Sequence, residues 1–450
     1  MVLDTCADYP ILLLNVIVIN NNFSIQFMTM SANTIFYSRS KSILTKYWPC
    51  ILVLLAFAGF ISKALYNYPV SIMALLGFYR LLTNHKILVT DKILRSASIV
   101  FLCLWLPLLF SLPDAVNPVR SAQTTFAYLR FYFSCIFIVH EIFKDKDRLS
   151  FIVTGLFYLV LFWCVDATIQ FAFNKDLFGF PYQPGQITGM FYPRNTISHI
   201  CSILSTFSFI YIYKNFKDIK WPLLSIVPLF FIVLLSGRRA AWVMLALSAF
   251  GYLIYGYKFA LNKVRFIKIT SLVSAVIAAV LVSTILFHPP TNHRFKVTLG
   301  LFSENYESIN SATAVRLPIW ETAISVIKSN PINGIGPRGF RYVYKDYASE
   351  SDIFVHWDII PTQPHIIILE ILAETGIIGF IGYLLAFYFI VRIVVRSDCA
   401  EQLSPFLIPV IVAMFPFNAH MAFYGSIWSS MVWLLISLYF SQARLLIKNH

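Results

Sequence analysis

The chain has 450 residues, 58% of them hydrophobic and 12% charged, with a formal net charge of +14. That is too apolar for a soluble protein of this length, and repeated runs of about 20 apolar residues mean an all-α polytopic membrane protein, because backbone groups in lipid must be bonded within the segment. The alternating segments of about ten residues that mark a transmembrane barrel are absent, and the positive charge points to no nucleic acid once the cations are sorted by membrane side.

Residues 1–47 precede the core. The first cation is Arg39, so the apolar stretch Ile11–Met30 has no basic region before it and does not read as a signal peptide. Asn15, Asn20, Asn21 and Asn22 interrupt it. It is either an extra hydrophobic segment or sequence upstream of a start at Met28 or Met30.

Residues 48–287 hold nine expected spans, near 49–66, 68–82, 97–113, 122–143, 150–173, 194–213, 221–236, 239–257 and 267–287. A turn at Asn67–Pro69 separates the first two, and a tight turn at Ser236-Gly237 separates the seventh and eighth. The long polar segment 288–365 comes next. Residues 366–450 hold three more spans, near 366–391, 404–419 and 423–443, about twelve in all. The seven cysteines lie in or beside apolar runs, show no CxxC spacing, and read as packing residues; none lies in 288–365.

Charge tests this map. If the first span starts in the cytoplasm, the inner segments hold 21 of the 35 cations, every inner loop has at least two, and the short outer loops are nearly bare. Segment 288–365 then faces outward. The remaining cations need another explanation: Lys63, Arg120, Arg130, Lys175, Arg194, Arg238 and Arg239, with Arg294, Lys296, Arg316, Lys328, Arg338, Arg341 and Lys345 from the long segment. Arginine predominates among them, and its planar fork suits phosphate.

Arg238 and Arg239 are adjacent at a membrane surface. They anchor to headgroups or bind an anion. Arg316 opens an expected amphipathic helix over the membrane surface, with Ile319, Ala323, Ile324 and Ile327 on one face. Asn330-Pro331 ends it, and Gly334, Gly336 and Gly339 shape the turn after it. His365 stands at the start of a membrane-entering helix, as a cap, a packing residue or a base. His288, His293, His356 and His420 are also outward and lack metal-ligand spacing. Within the spans, Arg130 and Asp166 are costly and could pair with each other.

Four pieces together resemble the O-antigen ligases and their relatives, the O-antigen polymerases and protein O-oligosaccharyltransferases. LLSGRRAAWVML resembles the family's arginine-bearing turn, with Arg239 at the arginine position and Arg238 where a small hydroxyl residue is usual. NHRFKVTL is similar to the segment after the span preceding the large loop and carries Arg294. AVRLPIWETAISVIKSNPINGIGPRGF resembles the R-x-x-x-W/Y…NPxxGxGxxxF stretch and carries Arg316. PHIIILEILAETGIIG resembles the family's helix start and carries His365 and Glu370, with Gln363 and Ile366 replacing a histidine and an asparagine common there.

The resemblance implies a glycosyltransferase C-like fold and transfer of a glycan from undecaprenyl diphosphate to lipid A–core at the periplasmic face of the bacterial inner membrane. It implies no cofactor and no metal. A diphosphate leaving group needs charge stabilisation, which Arg239 and Arg316 would supply with Arg294, Arg238, Arg194 and Arg130 in support. His365 would be the general base of a direct, inverting displacement. Besides donor and acceptor, the partners are membrane lipids. The alternatives are an O-antigen polymerase with a lipid-linked acceptor, a protein O-oligosaccharyltransferase, and a lipid or glycan transporter. A transporter would carry repeats and midplane charges. No clear repeat is present, and the candidate arginines gather at one surface.

Overall fold

The computed structural model describes residues 44–142, 144–215, 220–418 and 421–448. The readings of the stretch 1–43 and of His420 lie outside the described residues. Among those residues the chain is helical; β structure is limited to the isolated bridges Lys175–Pro181 and Gln183–Gln186. Each expected span is a helix: α1 (Leu44–Ile61), α2 (Asn67–Thr83), α4 (Lys92–Phe110) after the single turn α3 (Ile87–Thr90), α5 (Pro118–Ile142), α6 (Lys146–Phe173), α7 (Ile197–Asn215), α8 (Lys220–Leu235), α9 (Arg239–Phe259) and α10 (Lys263–Phe287). After five short helices come α16 (Ile367–Val395), α17 (Ala400–Ala413) and α18 (Ser426–Lys448). Seven of these are long and apolar enough to cross a membrane. The protein is thus an all-α polytopic membrane protein.

Local chemistry sets the ends. Asp91 caps α4 by accepting the amides of Ile93 and Leu94, each at 3.0 Å. The same carboxylate meets Arg444 Nε at 2.6 Å and so ties the start of α4 to the end of α18. Glu141, nearly inaccessible, gathers Arg80 at 3.0 Å, Lys144 at 2.7 Å and Arg148 at 3.5 Å, all cations that the charge map assigns to the inner side. The first turn lies earlier than expected. Ser62–Tyr66 makes it, and Asn67 and Pro69 fall inside the first turn of α2. Proline is tolerated there because its missing N–H would lack a helical partner in any case.

The expected pair of Arg130 and Asp166 does not form. Arg130 Nη2 donates to Ser426 Oγ at 2.5 Å. Asp166 accepts the amides of Leu177 at 3.1 Å and Met190 at 2.8 Å, which holds the 174–191 connection down on α6. A carboxylate that takes two backbone donors is satisfied without a cation.

Between α10 and α16 run α11 (Pro289–Leu299), α12 (Tyr306–Ala312), α13 (Leu317–Ser329), α14 (Phe340–Tyr347) and α15 (Ile353–His356). The apolar face of α13 is turned onto protein. Ile319, Ala323 and Val326 pack with Ile335, Phe340, Val343, Tyr344 and Ala373 of α16. Ile324, expected on that face, is 43% exposed. Val326 takes its place because 319, 323 and 326 follow the i, i+4, i+7 row. Burying each aliphatic side chain here stabilises by roughly 1.5–3 kcal/mol; an aspartate at Ala323 would unseat the helix.

The NPxxGxG stretch plugs a break in α16. Gly376 has φ 61 and ψ −160 inside that helix. The carbonyls thereby lost to the helix are used across the gap: Ile335 N donates to Ala373 O at 3.0 Å and Gly336 N to Glu374 O at 2.9 Å, while Ile377 N donates to Pro331 O at 2.9 Å. A Cβ on Gly376 would stand 2.0 Å from Ile332 O, so only glycine allows the approach. The motif is therefore the joint that sets α13 and α14 against the top of α16.

Candidate active site

The turn after α8 builds the first wall. Asn195 Nδ2 donates to Ser236 O at 2.8 Å and fixes the turn. Gly237 takes φ +64, and its carbonyl accepts from Arg294 Nη1 at 2.6 Å. A Cβ on Gly237 would lie 2.3 Å from that same nitrogen, so the glycine makes room for the guanidinium. Arg238 occupies the N-cap position of α9, without a side-chain capping bond, and Arg239 begins the helix. Arg239 Nη1 donates to the carbonyls of Ser311, at 3.3 Å, and of Ala312.

The second wall comes from the entry to α13. Ala314 and Val315 both have φ 59, a conformation that costs a β-branched residue about 1–3 kcal/mol. Asn310 holds the turn: its carbonyl accepts the Val315 amide at 2.7 Å and its side chain the Leu317 amide at 3.2 Å. The strained turn places Arg316 opposite the α8–α9 turn.

Arg238, Arg239, Arg294 and Arg316 line one cavity of about 380 Å³, with His199, Trp320 and Asn418. Burial and the neighbouring Arg294 lower the pKa of Arg238. Burial, then Arg238 and Arg239, push Arg316 down to about 10. All remain charged at neutral pH, and holding Arg316 charged costs on the order of 3 kcal/mol. Among the described residues, no carboxylate lies within ion-pair distance of these four. Crowded, half-buried guanidinium groups with no carboxylate at ion-pair distance have the chemistry to hold a polyvalent anion.

His365 immediately precedes the N-cap of α16, in a left-handed conformation with φ 57. Gln363 Nε2 stands 3.2 Å from its Nδ1. The preceding carbonyl, of Pro364, accepts from Trp320 Nε1 at 3.1 Å. Trp320 lines the arginine cavity, so one hydrogen bond joins that cavity to the backbone beside His365.

Two other candidate arginines stand apart from this cavity. Arg194 Nη2 donates to Phe60 O at 3.4 Å, and burial lowers its pKa. Arg130 lines a separate cavity of about 290 Å³ with Arg120 and Arg338. Glu370 accepts the amides of Phe423 at 2.9 Å and Tyr424 at 3.2 Å, and so holds the loop before α18. Residues not singled out from the sequence also reach the arginine cavity: His199, Trp320 and Asn418. His199 could have been found, since it is an ionisable residue inside an apolar run. Among the described residues, no group of three or more His, Cys, Asp or Glu could hold a metal ion.

Residues 224–384 match the family model described as O-antigen ligase. An uncharacterized protein of Haemophilus influenzae is 25% identical over 207 residues, covering 43% of this chain and 50% of its own length. The chain thus spans about half the length of that curated relative. The family match takes in the turn with Arg238 and Arg239, all of α11–α15, and the start of α16 with His365. Over residues 224–384 the chain is thus similar to the O-antigen ligase family.

Proposed function

We propose that the protein transfers a glycan from undecaprenyl diphosphate to lipid A–core at the periplasmic face of the inner membrane. The observation that carries this reading is the convergence of Arg238, Arg239, Arg294 and Arg316 on one cavity joined through Trp320 to the chain beside His365. The acceptor hydroxyl attacks the anomeric carbon of the donor sugar. The bond from that carbon to the phosphate oxygen breaks, and the configuration inverts. The hydroxyl proton passes to His365, which later returns it to water. Undecaprenyl diphosphate leaves with an added negative charge, which Arg239 and Arg316 neutralise with help from Arg238 and Arg294. Fixed donors aimed at a developing charge are the largest common source of rate enhancement.

Gln363 orients the base. With its amide oxygen turned to Nδ1, that nitrogen carries the proton and Nε2 is the basic one. The amide and ring orientations are exchangeable by rotation.

Lipopolysaccharide gels from a deletion strain test the reading. A ligase mutant shows bare core and accumulates lipid-linked polymer. Core bearing one repeat unit would instead mark a polymerase, and unchanged lipopolysaccharide would remove both. A reporter enzyme active only in the periplasm, fused near Ser311, should be active; inactivity there would reverse the assigned orientation.

A further inference from the structure

We infer that the cavity of Arg120, Arg130 and Arg338 is a second phosphate site, which holds a phosphate of the acceptor while the other cavity holds the donor. Identifying its occupant as the acceptor rests on the glycosyltransferase reading; the existence of a second phosphate site does not.

The cavity is built from three elements. Arg120, Gln123, Thr124, Ala127 and Arg130 recur at helical spacing along one face of α5, so a polar stripe runs about 15 Å down that helix. Arg338 comes from the NPxxGxG joint, Tyr424 from the loop before α18 and Ser426 from its first residue. The volume, about 290 Å³, suits a phosphate and part of its attached sugar. No residue lines both this cavity and the first.

Its cations are held in place, and Arg338 feels the charges of the buried Glu370 and Glu374 of α16 from beyond ion-pair distance. Arg130 lies well inside an apolar helix, where a cation is costly and usually serves a pathway or ligand. Ser426 holds its Nη2 at 2.5 Å, and Phe131 lies under the guanidinium at 4.8 Å. Its Nε is buried with no hydrogen-bond partner. Arg338 is in the left-handed region, φ 65, and its amide donates to Glu374 Oε2 at 2.7 Å. That bond fixes the backbone, while Nη1 of the side chain is buried with no hydrogen-bond partner. Arg341 adds charge nearby: its pKa is lowered by burial, then by Arg338 and Arg120. Among the described residues, no carboxylate lies within ion-pair distance of Arg120, Arg130 or Arg338. A ligand with two or more anionic oxygens would satisfy donors that cost free energy when buried alone.

The placement relative to His365 favours the acceptor. Pro364 bonds to Trp320 of the first cavity. Glu370 holds Tyr424, and Glu374 holds the Arg338 backbone, both of the second cavity. The first turns of α16, about 12 Å from Ile366 to Glu374, therefore tie the two cavities together with His365 at one end. A base at that position could meet a hydroxyl brought from one cavity and a sugar brought from the other. The phosphate chemistry has two sources, a phosphorylated core sugar of lipid A–core or the diphosphate of a second lipid-linked glycan.

Two measurements on the full chain in nanodiscs decide this. The first is calorimetric titration with farnesyl diphosphate, a short prenyl diphosphate. Wild type should bind two equivalents. The double variant Arg120→Gln/Arg338→Gln should lose one and Arg238→Gln/Arg316→Gln the other, with melting curves checking that each is folded. Because this needs no turnover, it stands even if transfer proves absent. The second is kinetics. Arg338→Gln should raise the acceptor KM about 10–100-fold, with kcat and donor KM changed by less than about twofold. Acceptor stripped of phosphate should be used equally poorly by wild type and variant. Running lipid A–core and lipid-linked glycan in parallel shows which phosphate is read. A single equivalent in wild type, or an Arg338→Gln variant that only melts earlier with both KM values unchanged, overturns the proposal and leaves Arg338 as a counter-charge for Glu370 and Glu374.

Discussion

The indole Nε1 of Trp320 donates to the carbonyl of Pro364 at 3.1 Å, across 44 residues of sequence. This bond connects α13, which begins at Arg316, to the residue before His365. Trp320→Phe keeps most of the packing and removes the donor. We expect a stability loss of about 1 kcal/mol and a fall in kcat of about tenfold, with donor binding retained. A melting curve and a transfer assay check this; an unchanged kcat would mean that His365 is positioned without α13.

Arginine should not be replaceable by lysine at Arg239 and Arg316. Lysine keeps the charge but loses the planar fork, so donor affinity should fall about 10–100-fold at each site. Arg316→Gln should behave differently in the empty protein. Its pKa, about 10, lies below the ordinary value, so the charged form is disfavoured by folding. That cost is fully present below pH 10 and disappears as pH rises from about 10 towards the unfolded value. Removing the charge should therefore raise the melting temperature without donor and abolish the further rise that donor produces. A variant that is both less stable and still donor-responsive would make Arg316 a structural residue.

His365→Gly separates catalysis from conformation. The residue sits at φ 57, where glycine is unstrained. Stability should stay within about 1 kcal/mol of wild type, because relief of strain offsets the added freedom of the unfolded chain. Transfer should fall about 10²–10⁴-fold, with donor binding intact. Gln363→Leu should lower the rate less and alter its pH profile, since the ring would lose the group that sets its tautomer. Near wild-type transfer by His365→Gly would place the base elsewhere.

Gly376→Ala tests the joint in α16. The new methyl would lie 2.0 Å from Ile332 O, at a backbone angle that alanine adopts only with strain. We expect a loss of about 3 kcal/mol or more, read as lower expression and a lower melting temperature. Gly379→Ala, which meets the Thr375 side chain rather than backbone, should be milder. Equal behaviour of the two variants would show that the joint yields.

Helical spans were legible because period and length are local properties: a run such as Leu223–Leu235 reads as an apolar helix whatever surrounds it. The turn Ser236-Gly237 was legible for the same reason, since only glycine accepts φ +64 cheaply. The face of α13 was read one residue wrong, at Ile324 instead of Val326. Periodicity gives a stripe, and the partner, Ala373 of α16, decides where its centre lies.

The sequence by itself determined the class of protein, the helices, and which residue types could grip a diphosphate, because hydrophobicity and charge act at each residue regardless of fold. It did not determine which arginines share a site. Arg194 and Arg130 carry the same charge as Arg239 and Arg316, yet one is bonded to Phe60 O and the other lines a different cavity. The Arg130–Asp166 pair, open from composition, was decided against by two backbone amides that reached Asp166 first. Trp320 and His199 enter the arginine cavity only because α7, α9 and α13 meet there. Proximity between residues distant in sequence depends on how helices pack, and packing is set by the summed surfaces of many residues rather than by any one of them.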